Sequence, residues 1–215
     1  MPRRARGAFL AALPALIAVW ALGGLYLSLA PSLTASVLHS TNHLVGGLAI
    51  ATMTAAGTLG SIALRGRAAR PALLLGCTAL AAGALGTLAA LALHSTPLFF
   101  TTTAIAGLGF GASFLGALNL VAPLAAPEER AELFATLYVV NYLAMSAPAV
   151  TAGLAVPHLG LLRTAAVYAL VVAALALSAL ATTLLRRRPA PQQPSPRRPP
   201  GQGTKDSDEP FASRL

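Results

Sequence analysis

Residues 8–30 contain no charged side chain, and five further apolar runs follow at about 43–64, 71–93, 98–124, 132–156 and 159–185. A helix that crosses a bilayer needs roughly 20 predominantly apolar residues, and each run meets that length. Inside lipid the backbone must satisfy its own hydrogen bonds, which a helix does segment by segment. Only 10% of the 215 residues are charged, against roughly 25% in soluble domains, so a water-facing surface cannot be assembled. The first run is longer than the apolar core of a secretory signal, about 7–15 residues, and reads as a retained span. The expectation is an all-α membrane protein with six transmembrane helices.

The formal net charge of +9 would suit a nucleic-acid partner if it formed one patch, but the cations are distributed otherwise. Arg3, Arg4 and Arg6 precede the first run; Arg65, Arg67 and Arg70 lie between the second and third. Arg130 lies between the fourth and fifth, and Arg186, Arg187 and Arg188 follow the sixth. The segments around residues 31–42, 94–97 and 157–158 have no Lys or Arg. Basic residues beside spans stay on the cytoplasmic side, so the alternation predicts both ends inside and excludes nucleic acid as the partner. Arg130 is the weakest member of the pattern, because Glu128, Glu129 and Glu132 surround it. Residues 1–7 form a basic cytoplasmic lead, 8–186 the bundle and 187–215 a tail. The tail, with its PAPQQPSPRRPPGQG stretch, is too polar and proline-rich to bury a core and is expected to be a disordered, solvated cytoplasmic segment.

Polar and small residues inside the spans carry what remains. Residues 104–153 form two apolar segments around the loop Pro127-Glu128-Glu129-Arg130-Ala131-Glu132. The fourth span places Gly109, Ser113, Gly116 and Pro123 on one arc, with Asn119 at its edge; small residues let helices approach closely in lipid. The fifth gathers Tyr138, Asn141, Tyr142, Met145 and Pro148. Polar groups at membrane depth usually face a bundle interior or a cavity, so Asn119, Tyr138, Asn141, Tyr142 and Met145 are candidate path-lining residues. Packing of the two asparagines against neighbouring helices is the competing reading. Trp20, near the middle of the first span, either packs on a neighbour or walls a cavity. Gly76, Gly83 and Thr87 share a stripe of the third span, and Gly47, Thr54, Thr58 and Ser61 one of the second.

Reactive chemistry is not encoded in any motif. Cys77 is the single cysteine, which excludes an intrachain disulfide and reads as a small buried residue. His39, His43, His94 and His158 fall in or beside the cation-free loops, with no spacing that requires a metal. Gly107-x-Gly109-x-Gly111 follows no strand, so it is packing rather than a dinucleotide loop. Neither an enzyme nor a cofactor is expected.

The hairpin GLGFGASFLGALNLVAPLAAPEERAELFATLYVVNYLAMSAPAVTAG resembles the tenth and eleventh helices of a major facilitator superfamily transporter, of the actinobacterial drug-efflux type. The shared pattern is a glycine-rich helix, Pro127-x-x-Arg130-Ala131, then Tyr138 and a helix kinked at Pro148. Trp20-Ala21-Leu22-Gly23-Gly24-Leu25-Tyr26 resembles the seventh helix of that family. Residues 60–70, with Arg65, Arg67 and Arg70, are similar to its G-x-L-x-D-R-x-G-R-R loop, with Leu64 at the acidic position. The resemblance covers roughly residues 7 to 186. It implies the second six-helix half of a twelve-helix permease, built from two three-helix repeats, with the substrate path between halves. It also implies a multi-pass protein of the cell membrane that exports small organic or drug-like molecules, as an antiporter where proton-coupled. The partners implied are the lipid bilayer, a small organic substrate, and a second six-helix half or another copy of the chain. The chain is then a fragment or a half-transporter, and any titrating carboxylate comes from the other half. A six-helix scaffold without transport of its own is the alternative.

Overall fold

Six long helices account for nearly all of the computed structural model, which describes residues 3–36 and 43–185. They are α1 (Arg3–Ser36), α2 (His43–Ala63), α3 (Ala69–Ala92), α4 (Thr96–Val121), α5 (Arg130–Leu159) and α6 (Leu161–Leu185). Of the described residues 94% are helical and none is in a strand. All six helices are long and apolar enough to cross a membrane. The outside of the bundle agrees with a lipid surrounding: Leu44, Leu59, Val150 and Leu154 are more than 60% exposed, an apolar exterior that water would not tolerate. Threonines on that exterior turn inward on their own helix, as when Thr54 donates to the Ile50 carbonyl and Thr78 to that of Leu74. These hydroxyls therefore need no partner from outside the helix.

Several boundaries differ from the sequence expectation. α1 begins at Arg3 and continues through Pro31 to Ser36, so the basic lead is largely helical and the link to α2 is shorter than residues 31–42. Residues 37–42, with His39, lie outside the described residues, as do 186–215 and hence the expected tail. Pro71 is the third residue of α3 rather than its first, still within the turn whose N–H groups lack helical acceptors. α4 stops at Val121, and a 3-10 turn at Ala122–Leu124 takes up Pro123. α5 runs through Pro157 and His158, so the chain turns at Gly160 instead. Gly160 has φ 80°, a conformation that costs glycine little and other residues much.

α1 and α4 are central. α1 packs against each of the other five helices, and α4 fits tightly between α2 and α3. The glycines of α4 explain that fit, but on two faces rather than one. Gly109 and Gly116 meet the α3 backbone at Leu80 and Leu73, while Gly107 and Gly111 meet α2 at Met53 and Gly57. A Cβ at Gly116 would stand 2.6 Å from the Leu73 nitrogen, closer than any side chain permits. One hydrogen-bonded node ties the centre together: the Tyr26 hydroxyl lies 2.9 Å from Thr103 Oγ1 and 3.2 Å from Thr87 Oγ1. All three are buried.

The two ends of the bundle differ in charge. Phe9, Leu73, Val121, Leu133 and Ala179 pack in one apolar cluster. This brings the start of α1, the α2–α3 loop, the α4–α5 loop and the end of α6 to the same end. Arg65, Arg67, Arg70, Arg130 and all three described acids lie there. Arg163 is the one described arginine at the opposite end, alongside His94 and His158. Arg70 donates to the Leu184 carbonyl at 3.3 Å, satisfying one of the acceptors that a helix C-terminus leaves open.

Candidate functional site

The aromatic side chains of three helices meet on one face. The Trp20 ring on α1 stands edge-on to Phe110 and Phe114 of α4, with centroids 6.3 and 5.9 Å away. Tyr142 of α5 approaches it to 6.5 Å, and Tyr138 stacks on Tyr142 at 6.4 Å. Tyr138 and Tyr142 are 59% and 60% exposed, whereas Trp20 is half-buried. Phe110 and Phe114 also form one wall of a cleft of about 200 Å³ between α2 and α4, with Thr54, Thr58 and Ser61 on the other side. A continuous surface therefore runs from the threonines of α2 across an aromatic floor to the tyrosines of α5.

Local sequence explains why this face stays open. α5 has one glycine, Gly153, and a Cβ added there would meet nothing within 4 Å, so no glycine of this helix admits a neighbouring backbone. It leans on α1, where Gly24 admits the Met145 carbonyl and the Tyr168 hydroxyl of α6. Only 17% of an 18-residue apolar stretch of the α5 span is buried, against 67% for that of α1.

The structure thus brings Trp20, Tyr138 and Tyr142 together, while Asn141 and Asn119 stand apart from them. Asn141 is buried, at 4% exposure, on a different side of α5 from the tyrosines. Met145 is half-buried. Asn119 is exposed near the end of α4 and does not join the aromatic face. The physical reason lies in the helix: an arc of 100° per residue is wide enough for Asn141 and Tyr142 to share it while pointing to different neighbours. Among the arginines, Arg65, Arg67 and Arg130 are exposed and Arg70 holds α6. Glu128, Glu129 and Glu132 stand at the N-terminus of α5, where the helix dipole favours acids.

Sequence reasoning does not single out Phe110 and Phe114. Their four-residue spacing is the available signal, and the glycines around them mask it. Among the described residues, three buried polar atoms have no hydrogen-bond partner: Trp20 Nε1, Asn141 Oδ1 and the Tyr168 hydroxyl. All belong to α1, α5 and α6. Cys77 is buried and accepts a hydrogen bond from Ser113 at 3.7 Å. No group of three or more His, Cys, Asp or Glu residues is placed to hold a metal among the described residues.

Comparison with family models, curated proteins and solved structures gave no match to this chain.

Proposed function

We propose that this bundle is one six-helix half of a secondary transporter of the major facilitator type, exporting small amphipathic organic molecules across the cell membrane by alternating access. The observation that carries the reading is the open face of Trp20, Phe110, Phe114, Tyr138 and Tyr142 flanked by Thr54 and Thr58. Aromatic rings offer area to an apolar body, and the tyrosine hydroxyls orient its polar end. A second six-helix unit supplies the opposite wall.

Part of the packing pattern is consistent with two three-helix repeats, while the α1–α2 and α5–α6 packings have no comparable α4–α5 or α2–α3 counterpart. Exchanging α1 with α4, α2 with α5 and α3 with α6 converts the α1–α5 packing into α4–α2, and α1–α6 into α4–α3. The α1–α4 and α3–α6 packings map onto themselves. Transporter halves are commonly built on such internal repeats. The end that holds Arg65, Arg67, Arg70 and Arg130 is the cytoplasmic one, by the bias of cations toward that side. Both chain termini of the bundle are then inside.

Thiol accessibility in membranes tests the reading, in a Cys77→Ala background. Tyr138→Cys and Tyr142→Cys should react with a hydrophilic thiol reagent and be protected by an efflux-pump dye once a first half is co-expressed. Leu143→Cys, equally exposed but one step around α5, should face lipid and stay unreactive. Equal reactivity at Tyr142 and Leu143 would show that this face is not a path. Cysteines at Gly66 and Ser95 should label from opposite sides of the membrane, and labelling from one side would overturn the topology.

A further inference from the structure

A second cavity lies away from the aromatic face. Between the later half of α5 and the first half of α6 a groove of about 280 Å³ is lined by Pro148, Ala152 and Ala155 on one side and by Thr164, Val167 and Val171 on the other. Its walls are overwhelmingly apolar. The Thr164 hydroxyl is already spent on the Gly160 carbonyl at 2.9 Å. Val167 and Val171 are 55% and 52% exposed, so the groove opens sideways, toward lipid, along roughly 10 Å of α6 at 1.5 Å per residue.

The upper end of the groove carries a charge. Arg163, Val167 and Val171 follow one another at four-residue spacing and so share a stripe of α6. Arg163 therefore stands directly above the valine wall, in the first turn of α6, and is exposed. Every acid among the described residues, Glu128, Glu129 and Glu132, lies at the opposite end of the bundle. At its own end Arg163 faces no described carboxylate. A guanidinium at the lipid–water boundary binds phosphate in a two-pronged geometry, and its apolar stem can lie along the valines.

We propose that the α5–α6 groove is a binding site for one anionic glycerophospholipid of the leaflet at the Arg163 end of the bundle, with an acyl chain along Val167 and Val171 and the phosphate on Arg163. The apolar groove fits the chain, and the unopposed cation selects the headgroup. The site is separate from the aromatic face and holds whether or not that face carries a substrate.

Trp20 is the single tryptophan of the sequence, which permits a local reporter. In full-length Trp20→Phe, Val171→Trp protein, the new tryptophan reports the deep end of the groove. Quenching by bromine-labelled phosphatidylglycerol in vesicles should reach half-maximum at about fivefold lower mole fraction than by the equivalent phosphatidylcholine, the gain expected of one interfacial cation. Adding Arg163→Gln should erase the difference, and Arg163→Lys should retain most of it. Coincident curves for the two lipids before Arg163 is changed would overturn the proposal. Native mass spectrometry of the unmodified protein provides a check free of the reporter. Arg163→Gln should lower the number of retained phosphatidylglycerol molecules by one, and an unchanged number would count against the site.

Discussion

α4 and α5 are consecutive, similar in length and joined through two 3-10 turns, Ala122–Leu124 and Pro127–Glu129, yet they do opposite things. α4 is held on two sides by glycines that let α2 and α3 approach to backbone contact. α5, with tyrosines where α4 has glycines, touches mainly α1 and keeps its other faces open. In lipid no hydrophobic force draws helices together, so close packing needs small residues. Where glycines are scarce, backbones stay further apart and large side chains remain available to something else. The contrast separates the helix that builds the bundle from the helix that offers a surface.

The largest effect expected from this contrast is in packing. Gly109→Leu would drive a side chain into the Leu80 backbone and should cost at least about 3 kcal/mol, the upper end for overpacked interiors. Gly153→Ala on α5 adds a Cβ that meets nothing within 4 Å and should not destabilise the bundle. Denaturant unfolding in detergent, followed by circular dichroism, separates the two. Similar losses from both would remove the distinction between the helices.

Hydroxyl deletion should give a smaller difference. Tyr26→Phe removes a group engaged with Thr87 and Thr103 and should destabilise by about 0.6–1.7 kcal/mol, the range for hydrogen bonds between membrane helices. Tyr168→Phe removes a buried hydroxyl without a partner, so it should be neutral or slightly stabilising. A loss at Tyr168 as large as at Tyr26 would mean that its hydroxyl is satisfied in the membrane.

The smallest expected effect concerns the asparagines. Asn119→Leu replaces an exposed amide and should shift thermal stability by less than about 0.5 kcal/mol. Asn141→Leu removes a buried oxygen without a partner and should shift it more, toward higher stability. Equal shifts at the two positions would contradict their different surroundings.

Much of the bundle is legible in the sequence. The number of helices and their approximate limits follow from runs of apolar residues, because spanning a bilayer constrains length and composition together. The stops are less legible. Pro31 and Pro157 read as loop signals but sit inside helices, since proline is tolerated in spans where neighbouring groups compensate for the lost hydrogen bond. The gathering of all but one of the described arginines at one end follows equally from sequence, because loop charges alternate with the crossings.

Sequence alone therefore determined that this chain makes six apolar helices, that most of its cations gather at alternate loops, and that glycines line the fourth. Only the tertiary structure decided that the α4 glycines serve two neighbours, that Trp20 joins Phe110, Phe114 and Tyr142, and that Asn141 turns away from Tyr138. Only it placed Arg163 above the groove between α5 and α6. A helical repeat fixes which residues share a face, whereas the neighbour that covers the face depends on how all six helices pack at once.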